Sequence, residues 1–168
     1  VIDKEEARII AFDTWRPASD CEIAEAKQVL PIAIILSVKR SGEFKARAVV
    51  LGNLDRQGNV ESFAPVASQA ATRLLAASAA ADGAYIDAFD LDSAFLGAEL
   101  ERDVFCRLPP VWAAKHGYSV VKLKRALYGL RDAPRAWWKK YCSILSSLNW
   151  IPCDEAPGIW KKRSSVVE

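Results

Sequence analysis

An α+β fold is what this sequence predicts, and three observations predict it. Branched apolar runs at 32–39 and 43–51 flank Arg40-Ser41-Gly42 and read as a β-hairpin around a turn. Trp137, Tyr141, Leu145 and Leu148 recur three or four apart and read as the buried stripe of a helix over 135–150. Short strand-like runs alternate with helical segments along 168 residues, the pattern of a mixed architecture on one core. Hydrophobic residues make up 51% of the chain, enough to build that core in a single domain.

The elements follow in order. Residues 1–30 are mixed, with a helix expected near Ser19 to Val29. Ser19 or Asp20 can cap it, and Glu22 and Glu25 favour its positive end. After the hairpin, Gly52 to Ser62 is polar, contains Gly58 and Asn59, and reads as a loop. Val66 to Ala81 is an alanine-rich helix whose Val66, Ala70, Leu74, Ala77 and Ala81 share one face, small enough for close packing. AYIDAFDL at 84–91 reads as a short strand that places Asp87 and Asp90 on opposite faces. Val104 to Leu108, ended by Pro109-Pro110, and Val120 to Leu123 are two more strands, with His116 in a loop-like stretch between them. Asp132 can cap the 135–150 helix, and Pro134 is tolerated in its first turn. Residues 152–168 run from a loop into the basic Lys161-Lys162-Arg163.

Composition removes several function classes. Cys21, Cys106, Cys142 and Cys153 fit no zinc spacing and no Cys-x-x-Cys motif, and are expected as free thiols in a reducing compartment. The single histidine, His116, excludes His-Glu-x-x-His metalloproteases. No apolar run approaches the ~18 residues of a membrane span, and VIDKEEARII is not a secretory leader. The chain starts at Val1 and has no methionine, which points to a piece of a longer polypeptide.

Charge is unevenly spread. Residues 82–103 hold seven acids and one base, Arg102; residues 122–140 hold seven bases and one acid, Asp132. Two readings stand side by side: two solvated faces, or an acidic metal site beside a basic track for a phosphate backbone. Residue by residue the same choice recurs. Asp90 is either a strand-end acid in water or a ligand for a hard divalent cation, with Asp92 able to share its face. Phe95 is either a core phenylalanine or a rigid wall beside a bound sugar. Lys45 and Arg47 either guard an exposed strand edge or face a polyphosphate. Trp137 reads as core, and Trp138 as core or as a stacking face for a base.

Two segments tip these choices. IDAFDLDSAFLGAEL, from 86 to 100, and ALYGLRDAPRAWW, from 126 to 138, resemble the reverse transcriptase of copia-type LTR retrotransposons. That family's strings there are roughly D-V-x-T-A-F-L-N-G-x-L and S-L-Y-G-L-K-Q-A-P-R-x-W. FKARAVVLGN resembles its K-A-R-L-V-A-R-G, ESFAPVASQAATRLLAASAA its E-T-F-A-P-V-A-R-x-x-x-x-R-x-x-x-A-x-A, and LERDVFCRLPP its L-x-E-E-V-Y-M-x-Q-P. The resemblance covers about 44–160 and is loose over 1–40.

What the resemblance implies is an α+β fold of fingers and partial palm of a right-hand polymerase, with an antiparallel palm sheet and packed helices. The fingers would occupy about 1–83 and the palm about 84–168, truncated at its C-terminal side. The parent enzyme would be an RNA-directed DNA polymerase using Mg²⁺ or Mn²⁺ in two-metal nucleotidyl transfer. Asp90 and the Leu91 carbonyl would hold metal. Lys45, Arg47, Phe95, Tyr128 and Gly129 would bind the dNTP, with Phe95 excluding a ribose 2′-hydroxyl. Arg131, Arg135, Trp138 and Lys139 would contact nucleic acid. Implied partners are an RNA template, a DNA or RNA primer, and the ribonuclease H and integrase of the same polyprotein. The implied location is intracellular, whether cytoplasm, virus-like particle or nucleus, with neither secretion nor a membrane.

There are departures. Asp132 stands where the family has Gln, Leu51 where it has Arg, and Gly97-Ala98 where it has Asn-Gly. The family's Tyr-x-Asp-Asp is absent; Asp154-Glu155 lies between prolines, and Ser165-Val166-Val167 looks like the strand leading into the motif. With one metal carboxylate of the usual set, the chain by itself is expected not to polymerise. The alternative is a decayed or co-opted module that binds nucleic acid without chemistry.

Overall fold

A computed structural model describes residues 1–57 and 60–162. The elements are α1 (Ile2–Ala11), β1 (Trp15–Pro17), α2 (Asp20–Glu25), β2 (Val29–Val38), β3 (Phe44–Val50), α3 (Gln69–Ala81), β4 (Glu99–Arg107), α4 (Pro110–His116), β5 (Val120–Arg125), α5 (Ala133–Ser147), β6 (Trp150–Pro152) and β7 (Trp160–Lys162). They form two compact units. The first joins Val1–Phe63 to Ser93–Trp137, and the second joins Ala64–Asp92 to the chain from Trp138 onward.

The first unit is built on a five-stranded sheet ordered β1-β5-β4-β2-β3. The β2–β3 hairpin forms as its sequence predicts. It pairs Ile32 with Val50 through Val38 with Phe44, and Gly42 turns it at φ +83°. An antiparallel sheet was the expectation, and the sheet is mixed: β2 runs parallel to β4, pairing Val29 with Phe105 and Leu30 with Cys106. Hairpins give antiparallel pairs by proximity, whereas this pairing joins segments about seventy residues apart in sequence and leaves no local signature. Ile9, Trp15, Leu30, Ile32, Val50, Leu96, Val104, Trp112, Val121 and Leu127 fill the core.

The free edge of β3 is covered. The Ala48 amide donates to Glu5 Oε1 of α1 at 3.0 Å, and the Val50 amide donates to the Tyr128 carbonyl at 2.7 Å. Two backbone donors that would otherwise template another strand are satisfied within the chain.

Several expected elements are corrected. The helix expected from Ser19 to Val29 ends at Glu25, because Val29 already pairs in β2; Ser19 does cap it, in a reciprocal capping box with Glu22. His116 lies on a helix, not in a loop: Pro110 opens α4 and Gly117, at φ +75°, closes it. The four cysteines are free thiols.

In the second unit α3 starts at Gln69, capped by Ser68, whose hydroxyl accepts from the Ala71 amide at 3.1 Å. The face expected to pack closely is open: Val66, Ala70, Leu74, Ala77 and Ala81 are all exposed. The strand expected at 84–91 is irregular and exposed throughout, with Tyr85 at 98% and Phe89 at 80% exposure. Apolar residues make a strand only when a neighbour accepts their backbone hydrogen bonds, and among the described residues no strand pairs with this segment. The stretch after Pro152, expected as a loop, returns as β7 and pairs with β6. Arg163 and the expected strand start at Ser165-Val166-Val167 lie outside the described residues. Among the described residues no helix is long and apolar enough to cross a membrane.

Candidate nucleotide and nucleic-acid site

The site is assembled where three segments of the first unit converge. The first is the end of β3. Its alternation buries Ala46, Ala48 and Val50, so Lys45 and Arg47 face the other way. The second is the 3-10 turn Ala94–Gly97. Ser93 enters it in the left-handed region at φ +59° and is buried, a conformation uncommon for a residue with a side chain. The third is the turn 127–130, anchored when the Ala126 amide donates to the Ala98 carbonyl at 2.8 Å. That bond ties the turn carrying Phe95 to the turn carrying Tyr128.

The aromatic rings meet accordingly. Phe95 and Tyr128 pack edge to face with centroids 5.1 Å apart, and the Arg47 guanidinium lies 5.9 Å from the Tyr128 ring centre. Both residues are half-buried. Gly129 has φ +87°, and a Cβ there would sit 2.0 Å from the Val50 carbonyl oxygen. A Cβ on Gly52 would sit 2.1 Å from the Gly129 oxygen. Main chain therefore lies directly against main chain, which only paired glycines permit.

The remaining expected residues are placed as follows. Arg131 is exposed, and its Nη1 donates to the Asp55 carbonyl at 3.4 Å. Arg135 pairs with Glu61 at 2.5 Å. Trp138 and Lys139 stand on the part of α5 that belongs to the second unit. There Trp138 is half-buried, 6.3 Å from Tyr141 and 6.4 Å from Trp160. Asp90 and Leu91 also belong to the second unit, and both are exposed. The structure thus brings Arg47, Phe95, Tyr128 and Gly129 together, with Lys45 two residues along the same strand.

A divalent cation finds part of a donor set. The Asp90 carboxylate and the Leu91 carbonyl are hard oxygens of the kind Mg²⁺ takes, and Mg²⁺ is commonly held by one or two carboxylates plus waters and substrate phosphates. Among the described residues no group of three or more His, Cys, Asp or Glu side chains converges. Asp90 is exposed and belongs to no such group.

Sequence reasoning missed a cluster beside the turn. Arg102 binds Asp132 through Nε at 2.7 Å and Nη2 at 3.1 Å, Asp55 through Nη2 at 2.7 Å, and Gln57 through Nη1 at 3.1 Å. The two carboxylates, Asp132 foremost, hold the guanidinium above its usual pKa. Asp132, the one acid of the basic 122–140 stretch, is paired here with Arg102. Its signal was present in the sequence, since Arg102 is the lone base of an acidic stretch and Asp132 the lone acid of a basic one.

Comparison with known proteins follows the same direction. A family model described as reverse transcriptase (RNA-dependent DNA polymerase) matches residues 25–166. The retrovirus-related Pol polyprotein from transposon TNT 1-94 of Nicotiana tabacum is 30% identical over 152 residues, 86% of this chain and 11% of that protein. The Pol polyprotein from transposon RE1 of Arabidopsis thaliana is 34% identical over 64% of this chain and 8% of its own length. A Ty1-DR5 Gag-Pol polyprotein of Saccharomyces cerevisiae is 26% identical over 84% of this chain and 8% of its own length. The chain spans about a tenth of the length of these curated relatives. No solved structure matches it.

Proposed function

Because the chain belongs to the reverse transcriptase family of copia-type retrotransposons, we propose that it supplies the fingers, about 1–83, and part of the palm, about 84–168, of an RNA-directed DNA polymerase. The parent adds dNTPs to a DNA or RNA primer on an RNA template, within a polyprotein that also carries ribonuclease H and integrase, inside the cell. The observation that carries this reading is the convergence of Arg47, Phe95, Tyr128 and Gly129.

Each residue has a role in that reading. Phe95, braced edge-on by Tyr128, is a stiff wall that fills the space of a 2′-hydroxyl. Gly129 lets the turn lie directly against the end of β3, which sets Tyr128 beside Arg47 at the edge of the nucleotide pocket. Lys45 and Arg47 neutralise the triphosphate, the guanidinium through its planar donor fork. Arg131, Arg135 and Lys139 track phosphates, and Trp138 offers a base-stacking face. Asp90 and the Leu91 carbonyl would hold Mg²⁺ or Mn²⁺, which would supply activation of the primer 3′-hydroxyl and charge neutralisation at the leaving group. With Asp90 as the one carboxylate assigned to metal, the chain alone does not extend a primer.

The test is sugar discrimination at equilibrium. Binding of dATP and ATP to the purified chain is measured by calorimetry, beside Phe95→Ala. The wild-type chain binds dATP more tightly than ATP, and Phe95→Ala loses that preference by roughly tenfold, the value of one lost steric contact. Equal binding of both nucleotides by the wild type, or an unchanged preference in Phe95→Ala, overturns the gate. Salt-sensitive nucleic-acid binding without any nucleotide binding favours the non-catalytic module instead.

A further inference from the structure

We propose that Arg102 is a positioning residue for the Tyr128–Gly129 turn, locking that turn against the end of β3 and so fixing the nucleotide face formed by Tyr128, Phe95 and Arg47. The proposal rests on the reading of that face as a nucleotide pocket.

Three features carry it. First, β4 delivers Arg102 out of the ladder. Glu99 pairs with Arg125 and Val104 with Leu123, so five steps along β4 match two along β5, and Arg102 falls within this bulge. Bulges re-aim side chains. Second, four of the five guanidinium donors are used, two on Asp132, one on Asp55 and one on Gln57. Asp55 directly follows the 3-10 turn Gly52–Leu54, and Asp132 closes the 127–132 segment before α5. These are the two segments whose glycines meet: the Gly52 Cβ position lies 2.1 Å from the Gly129 oxygen and 3.3 Å from the Arg131 nitrogen. One guanidinium thus bridges both sides of the contact. Third, the cluster is sheltered, with side-chain exposures of 20% for Arg102, 2% for Asp55 and 15% for Asp132. An ion pair in that setting keeps its geometry better than one at the surface.

The sequence adds an argument of its own. Arg102 is the one base among the seven acids of 82–103, and Asp132 the one acid among the seven bases of 122–140. Their charges are opposite, and the structure joins them bidentately.

The held turn has a direct reporter. The Val50 amide donates to the Tyr128 carbonyl at 2.7 Å, and Val50 is 1% exposed, so its hydrogen exchange reports opening of the turn. Exchange at Val50, the urea midpoint and dATP affinity are measured for the full chain and for Arg102→Lys, Asp132→Asn and their combination. Lysine keeps the charge but loses the planar fork. Both single variants unfold cooperatively near the wild-type midpoint. Each exchanges Val50 roughly tenfold faster and binds dATP roughly tenfold more weakly, the value of one charge-assisted hydrogen bond. The double variant is no worse than either single one, because both remove the same contact. Unchanged Val50 exchange in both single variants overturns the proposal. Faster exchange with unchanged dATP affinity also overturns it, because the turn would then not shape the pocket. If the wild type binds no dATP while exchange still accelerates, the pocket reading falls and the clamp on the turn stands.

Discussion

Gly129→Ala isolates the closest main-chain contact in the site, and Gly42→Ala supplies its control. Both glycines hold the left-handed region, at φ +87° and +83°. A Cβ in that region costs about 1–2 kcal/mol at either position. The two differ in surroundings: nothing lies within 4 Å of a Cβ at Gly42, whereas at Gly129 it would meet the Val50 oxygen at 2.0 Å and Val49 Cγ1 at 2.5 Å. Neither neighbour is the far end of a flexible side chain, so the 127–130 turn must move away from β3. That movement breaks the Val50–Tyr128 hydrogen bond and leaves a buried donor, at a further cost of about 1–3 kcal/mol. Replacing glycine also stiffens the unfolded chain, which offsets roughly 0.4–1 kcal/mol in both variants alike. Gly129→Ala is therefore destabilised by about 1–3 kcal/mol more than Gly42→Ala. Urea unfolding of the three proteins, with equal slopes, measures that difference from the midpoints. A Gly129→Ala variant no less stable than Gly42→Ala refutes the close approach, and with it the argument that glycine is required at 129.

Three other outcomes follow from the first unit. The Arg16 guanidinium, helped by the Ser19 amide, holds the Glu22 carboxyl at about 2, below its ordinary 4.5. A depressed carboxyl stabilises the fold above its unfolded value and loses that contribution as pH falls, so the melting-temperature gap between wild type and Glu22→Gln closes from pH 4.5 down to about 2; a gap independent of pH contradicts the pairing. Cys106 is fully buried and its thiol is pushed up to about 12 by desolvation, while Cys21 is exposed. Maleimide labelling mapped by mass spectrometry modifies Cys21 first and Cys106 only on global unfolding, and early labelling of Cys106 would show the β4 core to be open. Glu6, 1% exposed, accepts from Lys115 Nζ and sits 2.8 Å from His116 Nε2, joining α1 to α4. Glu6→Ala costs about 1–3 kcal/mol in urea unfolding, less than a fully buried pair because Lys115 is 55% exposed, and a loss under about 0.5 kcal/mol means the helices are held by apolar contacts alone.

How legible the fold was depends on how local its causes are. The β2–β3 hairpin and the span of α5 were readable to within a few residues, because turn residues and apolar period act over a few positions, but Leu148, read into the buried stripe of α5, lies past its end and is exposed. The α4 helix is hidden because Pro109-Pro110 reads as a stop to the preceding strand, whereas proline at the first helical position is also a start. The 84–91 segment misleads for the opposite reason. Its aromatic and branched apolar content is real, but Tyr85, Ile86 and Phe89 lie exposed, and a strand exists only with a partner to accept its ladder. The parallel β2–β4 contact was likewise invisible, since nothing in Val29–Pro31 names Phe105–Arg107 as its neighbour.

The candidate site divides along the same line. Arg47, Phe95, Tyr128 and Gly129 were legible through the motif resemblance, and the structure brings them into one face. Arg102 and Asp132 were legible only as anomalies, one a base among acids and the other an acid among bases. Each taken singly reads as an exception to the charge of its own stretch. Taken together they have opposite sign, and Arg102 Nε meets Asp132 Oδ2 at 2.7 Å. A single departure from a pattern is uninformative about neighbours, but two departures of complementary charge constrain a distance. Asp132 finds in Arg102 the cation that a sheltered carboxylate needs, and Arg102 finds in Asp132 and Asp55 the two carboxylates that fill its fork. Two complementary departures are therefore a physical signal that the amino-acid sequence itself carries, and in this chain they point to the residue that holds the Tyr128–Gly129 turn.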